Sequence, residues 1–464
     1  MSRLLKALAP PLQPIAAAMI AVFGLLPLDA SAVQVVTNCA DDGDGSLRNA
    51  LSLATEGELI DASGLVCSTI SLAHALVLGT DAQKINGPGM GNLTIDAAAA
   101  VNEPVFFHNG SGTLEIDNLT VTNGNKYRNI GPGTGGCINS NGSVKLDHVK
   151  VSNCAVKAPP NLHARGGAVY AALDLTVTDS IVTGGTTTGI LNTYGGGLFA
   201  YGQMTIRRST ISNSHANAGG GIYSGGNLKI YYSTVSGNDA HSGGGIECFC
   251  GLEMKGSTIS GNRGDLSAGL RLFTPRVAQL GPSFIANSTF TGNVSLTPAG
   301  SSAMEIAQPG VTISNSTIAF NEGPPSMFTG ALYAYGASID LQSTIIAENY
   351  PADFDVSTGS TSVSGAKNLI VSSLDPVPDG TITLCPLLEP LADTGGPTLT
   401  LAIKHNSPAI NAGNNLIPLA SDQRNSFPRV FGVAADIGAW EWQGGPDNNI
   451  FHDGFNPFPG ACHN

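Results

Sequence analysis

Two stretches decide how this chain folds: Gly219–Asn238, "GGGIYSGGNLKIYYSTVSGN", and Gly243–Asn262, "GGGIECFCGLEMKGSTISGN". They lie 24 residues apart and share their apolar positions, Ile222/Ile246, Leu228/Leu252, Ile230/Met254 and Val235/Ile259. Ser233/Ser257 and Asn238/Asn262 also match, whereas Tyr223 is replaced by Glu247. Working outward, the apolar residue that follows each small-residue pair is Ile138, Val169, Leu198, Ile222, Ile246, Leu270, Met304 and Leu332. The steps are 31, 29, 24, 24, 24, 34 and 28 residues. A second landmark follows in most units: "STISNS" from Ser209, "STVSGN" from Ser233, "STISGN" from Ser257, "STFTGN" from Ser288, "STIAFN" from Ser316 and "STIIAE" from Ser343.

Each unit holds two or three short β-branched runs between Gly and Asn turns, with no helical period. A repeat of that length predicts one turn of a parallel β-helix. Each strand pairs with its counterpart one coil up, at a spacing of ~4.8 Å. Equivalent side chains then stack in columns. Inward columns must be apolar, Gly serves the tight corners, and Asn238, Asn262, Asn293 and Asn321 fall in one column where amides can bond to one another. A leucine-rich horseshoe would need a Leu consensus that is missing, and a propeller a fixed register. Steps of 28–34 fit loops inserted at coil corners.

The composition agrees. Charged residues make up 12% of 464, Gly numbers 59, and hydrophobic residues at 42% exclude wholesale disorder. Net charge is −13 with no basic stripe, which argues against a nucleic-acid partner. Residues 1–32 read as a secretory signal: Arg3 and Lys6, an apolar run over 15–28, then Ala30-Ser31-Ala32. Its removal takes the net charge to −14, and no later run is long and apolar enough for a transmembrane helix. Eight Cys in an exported chain predict disulfides. Proximity pairs Cys39–Cys67, Cys137–Cys154 and Cys385–Cys462. That leaves Cys248 and Cys250, whose ring would be strained. No spacing fits zinc.

Open ends of such a stack invite aggregation and need covering. "DDGDGSLRNALSLA" from Asp41 predicts a helix with Ser46 as N-cap and Leu47, Leu51 and Leu53 on it. At the other end, "LADTGGPTLTLAIKHNSPAINAG" and "DQRNSFPRVFGVAADIGAWEW" break the repeat. The expected organisation is a signal peptide (1–32), a cap with first coils (33–100), the repeats (101–350), last coils with a C-terminal cap (351–443) and a tail (444–464).

The repeats resemble secreted bacterial right-handed parallel β-helix proteins of the pectin-lyase-like superfamily. They also resemble repeats of polymorphic outer-membrane and autotransporter passenger proteins, as does the start "VTNCADDGDGSLRNAL" from Val36. Gly395–Gly413 with Asp422–Glu441 is similar to the choice-of-anchor Q region, and "IFHDGF" (Ile450–Phe455) to C-terminal ends of secreted gammaproteobacterial proteins. These resemblances imply a single-stranded, right-handed parallel β-helix with N- and C-terminal caps and an extracellular or surface destination. They imply no activity, since the fold hosts lyases, hydrolases, adhesins and inert stalks.

The residue after each inward landmark should face outward. That column reads Asn139, Tyr170, Phe199, Tyr223, Glu247, Arg271, Glu305 and Tyr333, provided the long steps into Met304 and Leu332 keep register. Tyr170, Phe199, Tyr223 and Tyr333 are the candidate sugar-binding residues. Glu247 and Glu305, two coils or roughly 9–10 Å apart, are candidate acid and base, near the ~6.5–9.5 Å gap of inverting glycosidases. Arg271 between them would hold an acidic sugar or lower a carboxylate pKa. Equally, outward aromatics are ordinary strand formers, and a Glu–Arg–Glu ladder is favourable cross-strand pairing without function. His215, Asp239 and His241 lie in corner loops and offer a weak metal reading. Asp41, Asp42 and Asp44 fit a cap turn better than a calcium loop. Asp174, Asp179 and Lys229 share no column, so a calcium-dependent lyase site is not indicated. No metal or cofactor is expected. The leading expectation is a monomeric, exported surface or secreted protein that binds a glycan or adheres. The alternatives are a polysaccharide lyase or glycoside hydrolase, and an inert stalk.

Overall fold

A computed structural model describes residues 33–127, 132–189, 193–274, 282–325, 329–357, 360–444 and Cys462. Residues 1–32, expected as a signal peptide, and, Cys462 aside, the tail beyond residue 444 with its "IFHDGF" lie outside the described residues.

The coil that opened the sequence argument sets the pattern. It runs Leu228–Tyr231, Thr234–Ser236, Asp239–Ser242 and Ile246–Cys248. Each strand pairs in parallel with its counterpart in the next coil: Leu228 with Leu252, Thr234 with Thr258, Asp239 with Arg263, Ile246 with Leu270. Repetition yields three parallel sheets: one of 23 strands, two per coil (sheet A), one of 11 (sheet B) and one of 10 (sheet C). The molecule is a right-handed parallel β-helix, the hand that parallel strand connections adopt. Its 11-stranded sheet marks about eleven turns.

The apolar landmarks Ile138 through Leu332 pair in one unbroken register and are fully buried. Burying each such side chain contributes about 1.5–3 kcal/mol. They belong to one core that runs the length of the stack.

Two polar ladders line the corners of sheet A. Asn238 Nδ2 donates to Asn262 Oδ1 (3.0 Å), Asn262 to Asn293 (2.9 Å), Asn293 to Asn321 (2.8 Å) and Asn321 to Asn349 (2.8 Å). Each Oδ1 also accepts the backbone N–H of the Asn before it. The ladder ends on Asp353, which accepts both N–H groups of Asn349 and, on its other oxygen, Ser372 N–H. A parallel serine ladder runs Ser180, Ser209, Ser233, Ser257, Ser288, Ser316, each hydroxyl accepting the previous residue's N–H. The last landmark slips by one: Thr317 pairs with Ile345, so Thr344 and not Ser343 follows Ser316. Ser343 instead takes the left-handed position held by Asn315 one coil earlier.

The long steps of 31 and 29 residues have a local cause. In those coils sheet C runs outward (Asn125–Tyr127, Ala155–Lys157, Thr186–Thr188) and returns (Gly133–Thr134, Ala164–Arg165, Thr193–Tyr194). The single strand His215–Ala218 of the next coil pairs with both limbs. The result is a protrusion with its own small core of Val156, Ala158 and Ala164, with Leu162 against it.

At the N-terminal end, Leu47–Leu53 is helical, Ser46 caps it by accepting Asn49 N–H, and Leu47, Ala50 and Leu51 are buried. Leu53, the third leucine of the helix, is exposed. Asp41 binds Arg48 and Ala73 N–H, which makes its loop a cap turn. The three expected disulfides are formed, and Cys248 pairs with Cys250. Among the described residues no helix is long and apolar enough to cross a membrane.

The segment beyond Cys385 folds back along the flank of the coils. Thr398 donates to Gly256 O, Thr258 to Leu399 O, Thr289 to Gln423, Asn315 to Asn414 O, and Gly438 N–H to Ser343 O. Gly438 has φ +104°, and a Cβ there would stand 2.7 Å from Ile345 Cδ1, so any other residue is strained and must displace that side chain. The charged residues of "DQRNSFPR…DIGAWE" form a buried network: Arg424 with Asp422, Arg429 with Glu441. They are the interior of a flank-docked cover.

Candidate functional site

The outward column of sheet B is in the register read from sequence, without a shift at the long steps: Asn139, Tyr170, Phe199, Tyr223, Glu247, Arg271, Glu305, Tyr333. It continues to Asp355. The corner glycines place it. Gly219 turns sheet C into sheet B at φ +61°, where a Cβ would meet Ile222 O at 2.3 Å.

Phe199 and Tyr223 do not offer their faces to solvent. Tyr170 stacks on Phe199 at 5.6 Å between centroids and 12° between planes, and Phe199 on Tyr223 at 5.4 Å and 6°. Phe199 is thus covered on both faces and is 2% exposed; Tyr223, edge-packed by Tyr194, is 9% exposed. The expectation of flat aromatic faces for sugar rings fails here because adjacent coils are close enough for the rings to stack on one another. Tyr333 leans on Tyr335, at 5.6 Å and 34°.

Tyr201 is different. It sits in the turn after Leu198–Ala200 and is 50% exposed. Its plane stands at 87° to Phe199 and 88° to Tyr170. Arg165, on the returning limb of the protrusion, lies over both Phe199 (5.8 Å) and Tyr201 (5.6 Å). The exposed Tyr201 ring thus stands beside the partly buried Arg165 guanidinium. Sequence reading missed Tyr201 because only the residue directly after each landmark was followed; the signal was the aromatic two positions further on, repeated at Phe249, Phe273 and Tyr335.

Glu247, Arg271 and Glu305 do come together, as a closed network below the surface. Arg271 binds Glu305 through Nε (3.0 Å) and Nη2 (3.4 Å), and its Nη1 binds Ser242 Oγ (2.7 Å). Ser242 donates to Glu247 (2.5 Å), and Tyr335 to Glu305 (3.1 Å). Glu247 is 4% and Glu305 7% exposed. Burial and then Glu305 push the Tyr335 hydroxyl up to about 12, so it stays a donor. The guanidinium also lies 4.2 Å over Phe273. Such an arrangement satisfies the charges it buries, as a structural pair must.

Farther along the column, burial and then Asp375 raise the Asp355 carboxyl to about 7, while Asp375, bonded to Val356 N–H, is lowered. His215 pairs with Asp239 and His241 with Asp265, each at 2.8 Å. All three lie on strands of sheet C rather than in corner loops, and they serve two separate coil-to-coil pairs. Asp147, His148 and Asp179 also converge, but Asp179 is gripped by Arg208 through two bonds.

No family model matches the chain, and no curated protein matches it. Among solved structures it is similar to the crystal structure of pectate lyase Pel9A, at 12% identity and a TM-score of 0.43 over 89% of this chain and 97% of that one.

Proposed function

We propose that this is an exported glycan-binding protein whose recognition face is the platform of Tyr201 and Arg165 on the outer side of sheet B. One observation carries the reading: Tyr201 is half exposed, held edge-on to the packed Tyr170–Phe199 stack, with a cation over the same rings. Rigid, pre-positioned aromatics bind sugars at low ordering cost. The disulfides support an oxidising destination.

A second reading, polysaccharide cleavage, is favoured by Asp355, a carboxyl that holds its proton to about pH 7 in the same column. A general acid needs that property. Glu247 and Glu305 fit it less well, since their oxygens are engaged by Ser242, Arg271 and Tyr335.

One experiment separates the readings. A panel of immobilised polysaccharides is tested for retention of the protein and for new reducing ends or unsaturated sugars. Binding predicts retention that falls at least tenfold in Tyr201→Ala with no product formed. Cleavage predicts product that disappears in Asp355→Asn. Retention unaffected by Tyr201→Ala would remove the proposed face.

A further inference from the structure

The chain is acidic, yet its charge is not evenly spread. Residues 123–173 hold six of the 21 Lys and Arg (Lys126, Arg128, Lys145, Lys150, Lys157, Arg165) and one of the 34 acids, Asp147. Lys145 and Lys150 lie on sheet A, whereas Lys126, Lys157 and Arg165 lie on the strands of the protrusion that borders the aromatic column. Each is laid over a ring: Lys126 over Phe107 (4.9 Å), Lys157 over Tyr127 (5.5 Å) and Arg165 over Phe199 and Tyr201. Elsewhere on this face the cation is neutralised: Arg271 is clasped by Glu305. Among the described residues no carboxylate pairs with Arg165, whose contacts are the two rings.

We infer that the platform selects glycans bearing an anionic substituent, and that Arg165 is the residue that reads it. The guanidinium is planar, permanently charged and already oriented by the rings it covers, so a carboxylate or sulfate can take both of its edge donors without reordering the side chain. A sugar ring against Tyr201 would set its substituent beside that edge. The geometry also divides the face. The Arg165 end is open and cationic. The Arg271 end is closed by its own acids. This inference rests on Tyr201 being a glycan platform.

The test uses matched polymers: alginate against its propylene-glycol ester, and dextran sulfate against dextran, with retention measured at low and at moderate salt. The wild type should retain at least one anionic polymer about tenfold more strongly than its neutral partner, with the excess falling as salt rises. Arg165→Gln should lose about tenfold on that polymer, and Arg165→Lys should recover part of the loss. Lys150→Gln, which removes an exposed charge on sheet A, should change nothing. Preference for the sulfated or for the carboxylated pair identifies which anion is read. Equal retention of charged and neutral partners, an Arg165→Gln variant that binds like wild type, or an equal loss in Lys150→Gln would overturn the assignment of Arg165. If neutral polymers are retained through Tyr201 under those results, the platform itself stands. If no glycan is retained by wild type, both fall.

Discussion

Replacing Asn262 tests whether the amide ladder holds the stack together. In Asn262→Ala the backbone N–H of Asn238 loses its acceptor at 3.0 Å, and Asn238 Nδ2 keeps only Ile211 O of its two partners. All of these atoms are fully buried. One orphaned buried N–H costs about 1–3 kcal/mol, and the lost side-chain bonds add roughly another 1. The expected destabilisation is about 2–4 kcal/mol, read as a lower urea midpoint. Asn262→Asp sharpens the test. Its new oxygen would face Val235 O and Asn293 Oδ1, both acceptors, where Nδ2 donated at 3.0 and 2.9 Å. Only the protonated acid can donate there. The folded pKa of that aspartate must therefore lie above its unfolded value, so its stabilising contribution is present at low pH and lost as pH rises through the folded pKa. Asn262→Asp should be less stable than Asn262→Ala at pH 7 and more stable at pH 4. A loss under about 0.5 kcal/mol in Asn262→Ala, within the range of surface changes, or an Asn262→Asp variant without this pH dependence would refute the reasoning.

Two further outcomes are expected. Gly438→Ala forces a Cβ onto Ile345 and Thr317 at a left-handed φ, so it should detach the flank-docked segment, seen as faster proteolysis between residues 385 and 441 while the coils remain folded. Asp355, raised by burial and Asp375 to about 7, well above an ordinary carboxyl, contributes stability at acid pH that is lost as pH rises through 7; Asp355→Asn should flatten the fall in melting temperature between pH 4 and 8, and an unchanged slope would count against the raised Asp355 carboxyl.

The coils were legible because stacking imposes one rule on every copy. Ile222 and Ile246 must both be apolar, and Asn238 and Asn262 must both be amides, since each is the other's partner. The outward column was legible for the same reason. What that column does was not. Whether Phe199 shows its face or buries it depends on the rings one coil above and below, and their tilt is set by packing rather than by spacing. The protrusion that brings Arg165 over Tyr201 left only the long steps of 31 and 29 as a trace. The C-terminal segment was recognisable as a break in the repeat, but its docking on the flank follows from contacts more than a hundred residues apart, such as Thr258 with Leu399.

The asparagine ladder also has a direction. Every amide gives its Nδ2 toward the higher-numbered coil and takes hydrogen bonds from the lower one, so the side-chain dipoles align head to tail. The positive end of that line points at Asp353, an acceptor that cannot pass the pattern on. Asp353 is thus the terminator of a polar chain, its two oxygens taking three N–H groups and giving none onward. Within the ladder, an added Asn unit would find a donor below and an acceptor above, so the pattern repeats coil after coil until a residue without an N–H to give, Asp353, ends it.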